Sequence, residues 1–190
     1  MNLRLLTMAS LNDPGLTGPY DSPEHEQGGP MIDGYLRILT TITAIGAGVS
    51  SGVFFAFSTF VMKGLGHLSA ADGISAMKDI NKAAPTPLFM LVLFGTGAVS
   101  IAVSAAALRH LDQRWAAYVL IGTALYLACL VLTMAYHVPR NNALALVDPR
   151  GPGAAHTWAQ YLSSWTAWNH VRTVTALAGS TLFISALQAG

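Results

Sequence analysis

Ahead of its last apolar run the chain places Trp158, Tyr161, Trp165, Trp168, Asn169, His170 and Arg172. Aromatic faces, an amide, an imidazole and a guanidinium gathered at a membrane boundary offer binding chemistry, because a polar group there is costly unless it has a partner. At about 100° per residue, Trp158, Tyr161, Trp165, Trp168, Asn169 and Arg172 share about 100° of one helix face, while His170 points about 140° away from Trp165. An interfacial aromatic belt accounts for some of the tryptophans but does not require an amide and a guanidinium on the same stripe.

The elements that must hold this stripe follow from composition. Of 190 residues, 53% are hydrophobic and 10% charged, against about a quarter charged in ordinary soluble domains. Ile38 to Met62, Ala83 to Leu108, Trp115 to Pro139 and Thr173 to the C-terminus contain no Asp, Glu, Lys or Arg. Such runs are long enough to span a bilayer, and inside lipid they must be helical because the backbone has to bond to itself. The expected fold is all-α: a four-transmembrane-helix bundle over residues 34–190 in an integral, multi-pass protein of the cell membrane. A fourth helix starting well before its apolar part would stand about three turns above the hydrocarbon, with Thr157 and Gln160 spaced as a capping box. The positive charges of the Arg109 to Arg114 link favour both termini in the cytoplasm. Residues 1–33, rich in Pro, Gly, Asp and Glu, read as a flexible polar tail.

Between the first two runs, Leu68 to Ala84 reads as a short surface helix, capped by Ser69 and Asp72 and ended by Pro85 and Pro87. Its face of Ile74, Met77 and Ile80 could lie on the membrane or over the bundle mouth. Asn81 beside it reads as a solvated amide or as a substrate contact. Pro139 is expected to end the third helix and free carbonyls for Asn141 and Asn142, the alternative being that these amides bind a ligand. Gly46, Gly48, Ser50, Ser51 and Gly52 predict a close helix seam, and Phe54, Phe57 and Phe60 an aromatic stripe belonging to the core. Cys129, the only cysteine, reads as a packing residue. The near-zero net charge, with no basic stripe, does not point to nucleic acid.

Phe55-Ala56-Phe57-Ser58, Val61-Met62-Lys63-Gly64-Leu65, Ala76 to Asn81, Val138-Pro139-Arg140-Asn141-Asn142-Ala143-Leu144 and Trp168-Asn169-His170-Val171-Arg172-Thr173 together resemble the anthrone oxygenase-like family of small membrane proteins, from about residue 35 to residue 187. Lys63 and Arg140 depart from the family pattern, and Arg140 adds a second guanidinium. The resemblance implies oxidation of an anthrone-like polycyclic phenol to a quinone by O2, with no cofactor. It implies Arg172, helped by Asn169 and Asn141, binding an oxyanion, Tyr161, Trp165 and Trp168 stacking on the rings, and His170 or His137 as the base. Expected partners are a hydrophobic small-molecule substrate, O2 and membrane lipid, with a homo-oligomer open. Two other readings stand beside it. One is a non-catalytic membrane subunit or a lipid- or quinone-binding protein. The other is a metal or redox protein using His67, His137, His156 and His170, whose spacing matches no familiar ligand pattern, so no metal is expected.

Overall fold

The computed structural model describes residues 32–190, so the tail expected over residues 1–33 lies almost wholly outside them. Among the described residues every regular element is helical. The first apolar run is α1 (Gly34–Ala56), which passes through a π-helical turn (Phe57–Val61) into α2 (Met62–Gly66). The surface helix is α3 (Ala70–Ala83). The second run is α4 (Pro87–Met90), a second π-turn (Leu91–Gly95) and α5 (Thr96–Ala107). The third is α6 (Arg114–Leu132), a third π-turn (Thr133–His137) and α7 (Val138–Ala145). The last is α8 (Ala154–Ala189), 36 residues without a break.

Three helices are long and apolar enough to cross a membrane: Gly34–Gly66, Pro87–Ala107 and Arg114–Ala145. The expectation of four is met only to that extent. The helix α8 would reach ~54 Å end to end, but Thr173, Thr175, Ser180, Thr181, Ser185 and Gln188 lower the mean hydropathy of its apolar half. The hydroxyls nevertheless find acceptors. Thr173 bonds the carbonyl of Asn169, Thr181 that of Leu177 and Ser185 that of Thr181, while Ser180 reaches across to the carbonyl of Ala44 at 2.8 Å. Polar side chains satisfied in this way do not bar a helix from lipid.

The bundle is organised around α8, which packs on α1 along one side and on α6 along the other, while α5 packs on α1 and α6. The backbones of α6 and α8 meet at Gly122 and Gly179, where a β-carbon on Gly179 would stand 3.0 Å from the Gly122 carbonyl oxygen. The seam predicted from α1 is partly there. A β-carbon on Gly46 would collide with Thr96 and one on Gly48 would stand 3.3 Å from Ser180, but Gly52 faces open space. The phenylalanine stripe also divides, with Phe54 buried, Phe57 half-buried and Phe60 exposed at the first π-turn.

Two local expectations are corrected. Pro139 does not end its helix. A proline interrupts the normal backbone bond one turn back, and the π-turn just before it accommodates that break, so Arg114–Ala145 continues as one helix. Thr157 and Gln160 do not form a capping box, because Gly153 caps α8 four residues earlier at φ 82°, a left-handed conformation suited to glycine. Gln160 instead bonds His156 at 2.9 Å. The surface helix, by contrast, starts as expected, with Ser69 Oγ accepting from the Asp72 N–H at 3.2 Å. Its Ile74 and Met77 are buried against Trp158 and Leu144, so its apolar face covers the bundle mouth.

Gly179→Leu should force α8 off α6 and destabilise the protein by about 1–3 kcal/mol, as overpacking does. Gly52→Ala, whose added methyl meets nothing within 4 Å, should leave thermal unfolding in detergent unchanged; equal losses in both variants would refute the packing described.

Candidate functional site

Beneath α3 lies a cavity of about 640 Å³, lined from every long helix: Phe54 and Phe57 from the first, Phe89, Met90, Leu93 and Phe94 from the second, Thr133, Met134, His137, Asn141 and Asn142 from the third, and Trp165 and Arg172 from α8. Met77, Ile80 and Asn81 of α3 also line it. Its size and largely apolar wall, with a few convergent polar groups, fit a small-molecule site. Each π-turn contributes to the wall, in keeping with the frequent placement of such turns at functional sites.

Side chains from distant parts of the bundle bond carbonyls at these turns. Asn169 Nδ2 donates to the Phe54 carbonyl and to Ser58 Oγ, both at 2.7 Å. Tyr126 Oη donates to the Leu93 carbonyl at 2.9 Å and lies 3.0 Å from Ser50 Oγ. The imidazole of His137 turns back on its own helix, with Nδ1 3.2 Å from the Leu132 carbonyl. A carbonyl only accepts, so Nδ1 carries the proton and Nε2 is the basic nitrogen. That Nε2 is buried and has no partner.

Arg172 is 5% exposed. Its Nη2 donates to Asn169 Oδ1 at 2.6 Å and its Nη1 to Thr133 Oγ1 at 3.2 Å, while the Thr133 hydroxyl itself donates to the Cys129 carbonyl. The guanidinium lies 4.2 Å from the centre of the Phe54 ring and 5.4 Å from that of Trp165. Among the described residues no acidic side chain pairs with it, and the one ion pair is Lys82 with Asp79 on the surface. Arg172 Nε is buried without a partner.

The sequence-predicted residues divide accordingly. Arg172, His137, Trp165, Asn81, Asn141 and Asn142 all line the cavity. Asn169 does not; both ends of its amide are committed to Phe54, Ser58 and Arg172, so it positions the guanidinium. Tyr161 stands behind the wall, stacked between Trp158 and Trp165 at 5.7 and 6.2 Å. Asn141 Oδ1 accepts from Tyr161 Oη at 2.8 Å and from Trp165 Nε1 at 2.9 Å, which replaces the helix-end bonding weighed for it. Asn81 is not the solvated amide weighed from sequence, since its Nδ2 is buried and unpartnered.

Trp168 and His170 fall outside the cavity. Trp168, at the edge of the stripe, is 42% exposed and packs on Tyr136, over which the Arg140 guanidinium sits. His170 is exposed beside a separate shallow depression with Ser58, Lys63 and Thr166. His170 therefore points away from Trp165 and Arg172 as helix phase requires, and His137 is the histidine beside Trp165, their rings edge to face at 5.0 Å. Among the described residues no three His, Cys, Asp or Glu side chains gather as a metal site would need. Thr133 and Phe54 are functional neighbours that the sequence reading missed. Thr133, four residues before His137, shares its helix face and was legible; the Phe54 contact, made across the bundle, was not.

This fold and cavity define a helical protein in which helices long and apolar enough to cross a membrane surround an apolar cavity with a buried guanidinium in its wall. A sequence model of anthrone oxygenase matches residues 88–182, half of the chain, and the protein belongs to that family. The match takes in the cavity wall from the second and third apolar helices and Trp165, Asn169 and Arg172 of α8. No curated protein and no solved structure matches the chain.

Replacing Asn141 with alanine would strand two buried donors, Tyr161 Oη and Trp165 Nε1. Such a loss costs about 1–3 kcal/mol for each unsatisfied group, so Asn141→Ala should lower the unfolding midpoint measured by tryptophan fluorescence, with Asn141→Asp retaining more stability because it keeps the acceptor. Equal midpoints for Asn141→Ala and wild type would contradict the arrangement.

Proposed function

We propose that the protein is a membrane oxygenase that converts an anthrone-like polycyclic phenol and O2 into a quinone and water, using its own side chains. The observation that carries this reading is a set of three buried polar atoms without partners, Arg172 Nε, His137 Nε2 and Asn81 Nδ2, all belonging to residues around one apolar cavity. Buried groups are normally bonded, so this set calls for a ligand with both acceptor and acidic positions. Membership of the anthrone oxygenase family supports an anthrone-like substrate.

The acidic position of an anthrone is its methylene, flanked by two rings conjugated to a carbonyl. His137 Nε2 takes a methylene proton, and the electron pair delocalises onto the carbonyl oxygen, where Arg172 stabilises the oxyanion. The anion gives one electron to O2, forming superoxide and a carbon radical that combine as a hydroperoxide anion. That anion is protonated by the imidazolium, and elimination of water, in which the remaining C–H proton and hydroxide depart, leaves the quinone. His137 is neutral again. Trp165, Phe54 and Phe57 offer aromatic faces to the rings, and Asn81 offers a donor to a ring oxygen at the roof.

In this reading α8 crosses the bilayer with the three other long helices, giving four spans and placing α3 and the loop at Arg150 on one side and Asp112 on the other. The protein then sits in the cell membrane, where substrate and O2 both concentrate. Cysteines introduced at Lys78 and Arg150 in a Cys129→Ser background should label from one side, and one at Asp112 from the other. Labelling of all three from the same side would refute four spans.

Activity is tested by oxygen-dependent conversion of emodin anthrone, corrected for the spontaneous reaction. Removing a comparable oxyanion donor costs about 10²- to 10³-fold, the loss expected for Arg172→Ala, with partial recovery in Arg172→Lys because an ammonium lacks the guanidinium fork. Loss of the base in His137→Ala should cost about 10²-fold or more, whereas His170→Ala should stay close to wild type. A wild-type rate no greater than background would remove the enzymatic reading, and a folded His137→Ala variant at full rate would remove the base.

A further inference from the structure

The same cavity has a side as well as a roof. On the water side it is covered by α3, whose Lys78 Nζ donates to the Val147 carbonyl at 2.5 Å and ties the roof to the segment after α7. Trp158 packs beneath the buried Ile74 and Met77 of that helix and stands within contact of Gly73. The opposite condition holds between the second and third apolar helices. Their far halves, α5 and α6, pack together backbone to backbone, whereas the half of the second helix that contains its π-turn lies against α1 and meets the third helix through side chains, as where Tyr126 Oη bonds the Leu93 carbonyl. Beyond that contact the two helices part.

Two residues stand at that parting, Phe94 and Met134. Each lines the cavity, yet Phe94 is 41% and Met134 53% exposed, so each touches the cavity and the outer surface at once. Phe94 lies ~10 Å along its helix from Pro87, and Met134 ~16 Å along its own from Ala145. Both distances fall inside a hydrocarbon layer ~30 Å thick. An opening at that depth meets acyl chains, not water.

We infer that the cavity is loaded sideways from the bilayer through the gap between Phe94 and Met134, and that its ligand is an apolar ring compound already dissolved in lipid. A ligand carrying a sugar, a phosphate or another permanently charged group would stay at the water surface, behind the roof. The same gap admits O2, which partitions into hydrocarbon. The two substrates of the proposed oxidation therefore share a route, and the carbanion forms in a space that water reaches only past the roof. This inference rests on the membrane placement proposed above and not on the oxidation chemistry; the placement fails in the labelling experiment, the route in the one that follows.

The test uses contact quenching of Trp165, a wall residue, in the full chain reconstituted in phosphatidylcholine vesicles with Trp115→Phe, Trp158→Phe and Trp168→Phe. Iodobenzene, dissolved in the bilayer, should quench Trp165 more strongly than iodide ion added to the water. Phe94→Ala should widen the gap and increase iodobenzene quenching, and Met134→Phe should narrow it and remove most of that quenching. If the triple variant does not fold, the four tryptophans of the wild-type chain, labelled as 5-fluorotryptophan, give the same readout through broadening of the Trp165 fluorine signal by a bilayer-soluble nitroxide. Stronger quenching from water, or quenching by the bilayer solute that neither substitution moves, would overturn the inference.

Discussion

A guanidinium buried without a carboxylate is the constraint to which the rest of this bundle is fitted. Withdrawing such a charge from water costs several kcal/mol even after relaxation. The charge-assisted bonds of Arg172 to Asn169 and Thr133 return about 1.5–3 kcal/mol each, and its contacts with the Phe54 and Trp165 rings about 0.5–2 each. These contributions hold the cation in place at the cavity wall while leaving Nε without a partner. A neighbouring aspartate would have stabilised the arginine and extinguished its field. Among the described residues no such partner is present.

The same requirement explains the irregular helices. Three uninterrupted α-helices would keep their carbonyls bonded within themselves and give the long side chains of α8 nothing to hold. Each long apolar helix before α8 instead widens by a π-turn at the level of the cavity, where Asn169, Tyr126 and His137 each bond a carbonyl. Asn169 joins the two systems, since its nitrogen holds the first π-turn and its oxygen holds Arg172. Below this level the helices close tightly, as at Gly122 and Gly179; above it they spread enough to leave a space that α3 roofs.

Much of this was legible in the sequence. About 100° per residue was sufficient to put Asn169 and Arg172 with Trp165 and to turn His170 away from them, and Ser69 with Asp72 marked the start of α3. The base stayed open between His170, which lies in the family motif, and His137. What the sequence did not disclose are features that exist only across the bundle. The π-turns depend on partners such as Asn169, 115 residues from Phe54, and no local pattern announces them. Pro139 reads as a stop until the widened turn before it is seen. Asn81 and Asn141 read as solvated or helix-end amides because their partners, or the lack of them, come from elements far along the chain. Gly52 looked like part of the seam because spacing identifies small residues without revealing which of them face a neighbour.

The central claim is that Arg172 presents an uncompensated positive charge to an aromatic ligand, and the protonation state of that ligand reports it most directly. Emodin, a hydroxyanthraquinone, changes its visible absorption when a phenol ionises. Bound to the wild-type protein at a pH where free emodin is neutral, it should show the red-shifted spectrum of the phenolate, and in Arg172→Gln the spectrum of the neutral form. A neutral spectrum in the wild-type site, with binding itself demonstrated, would contradict the account.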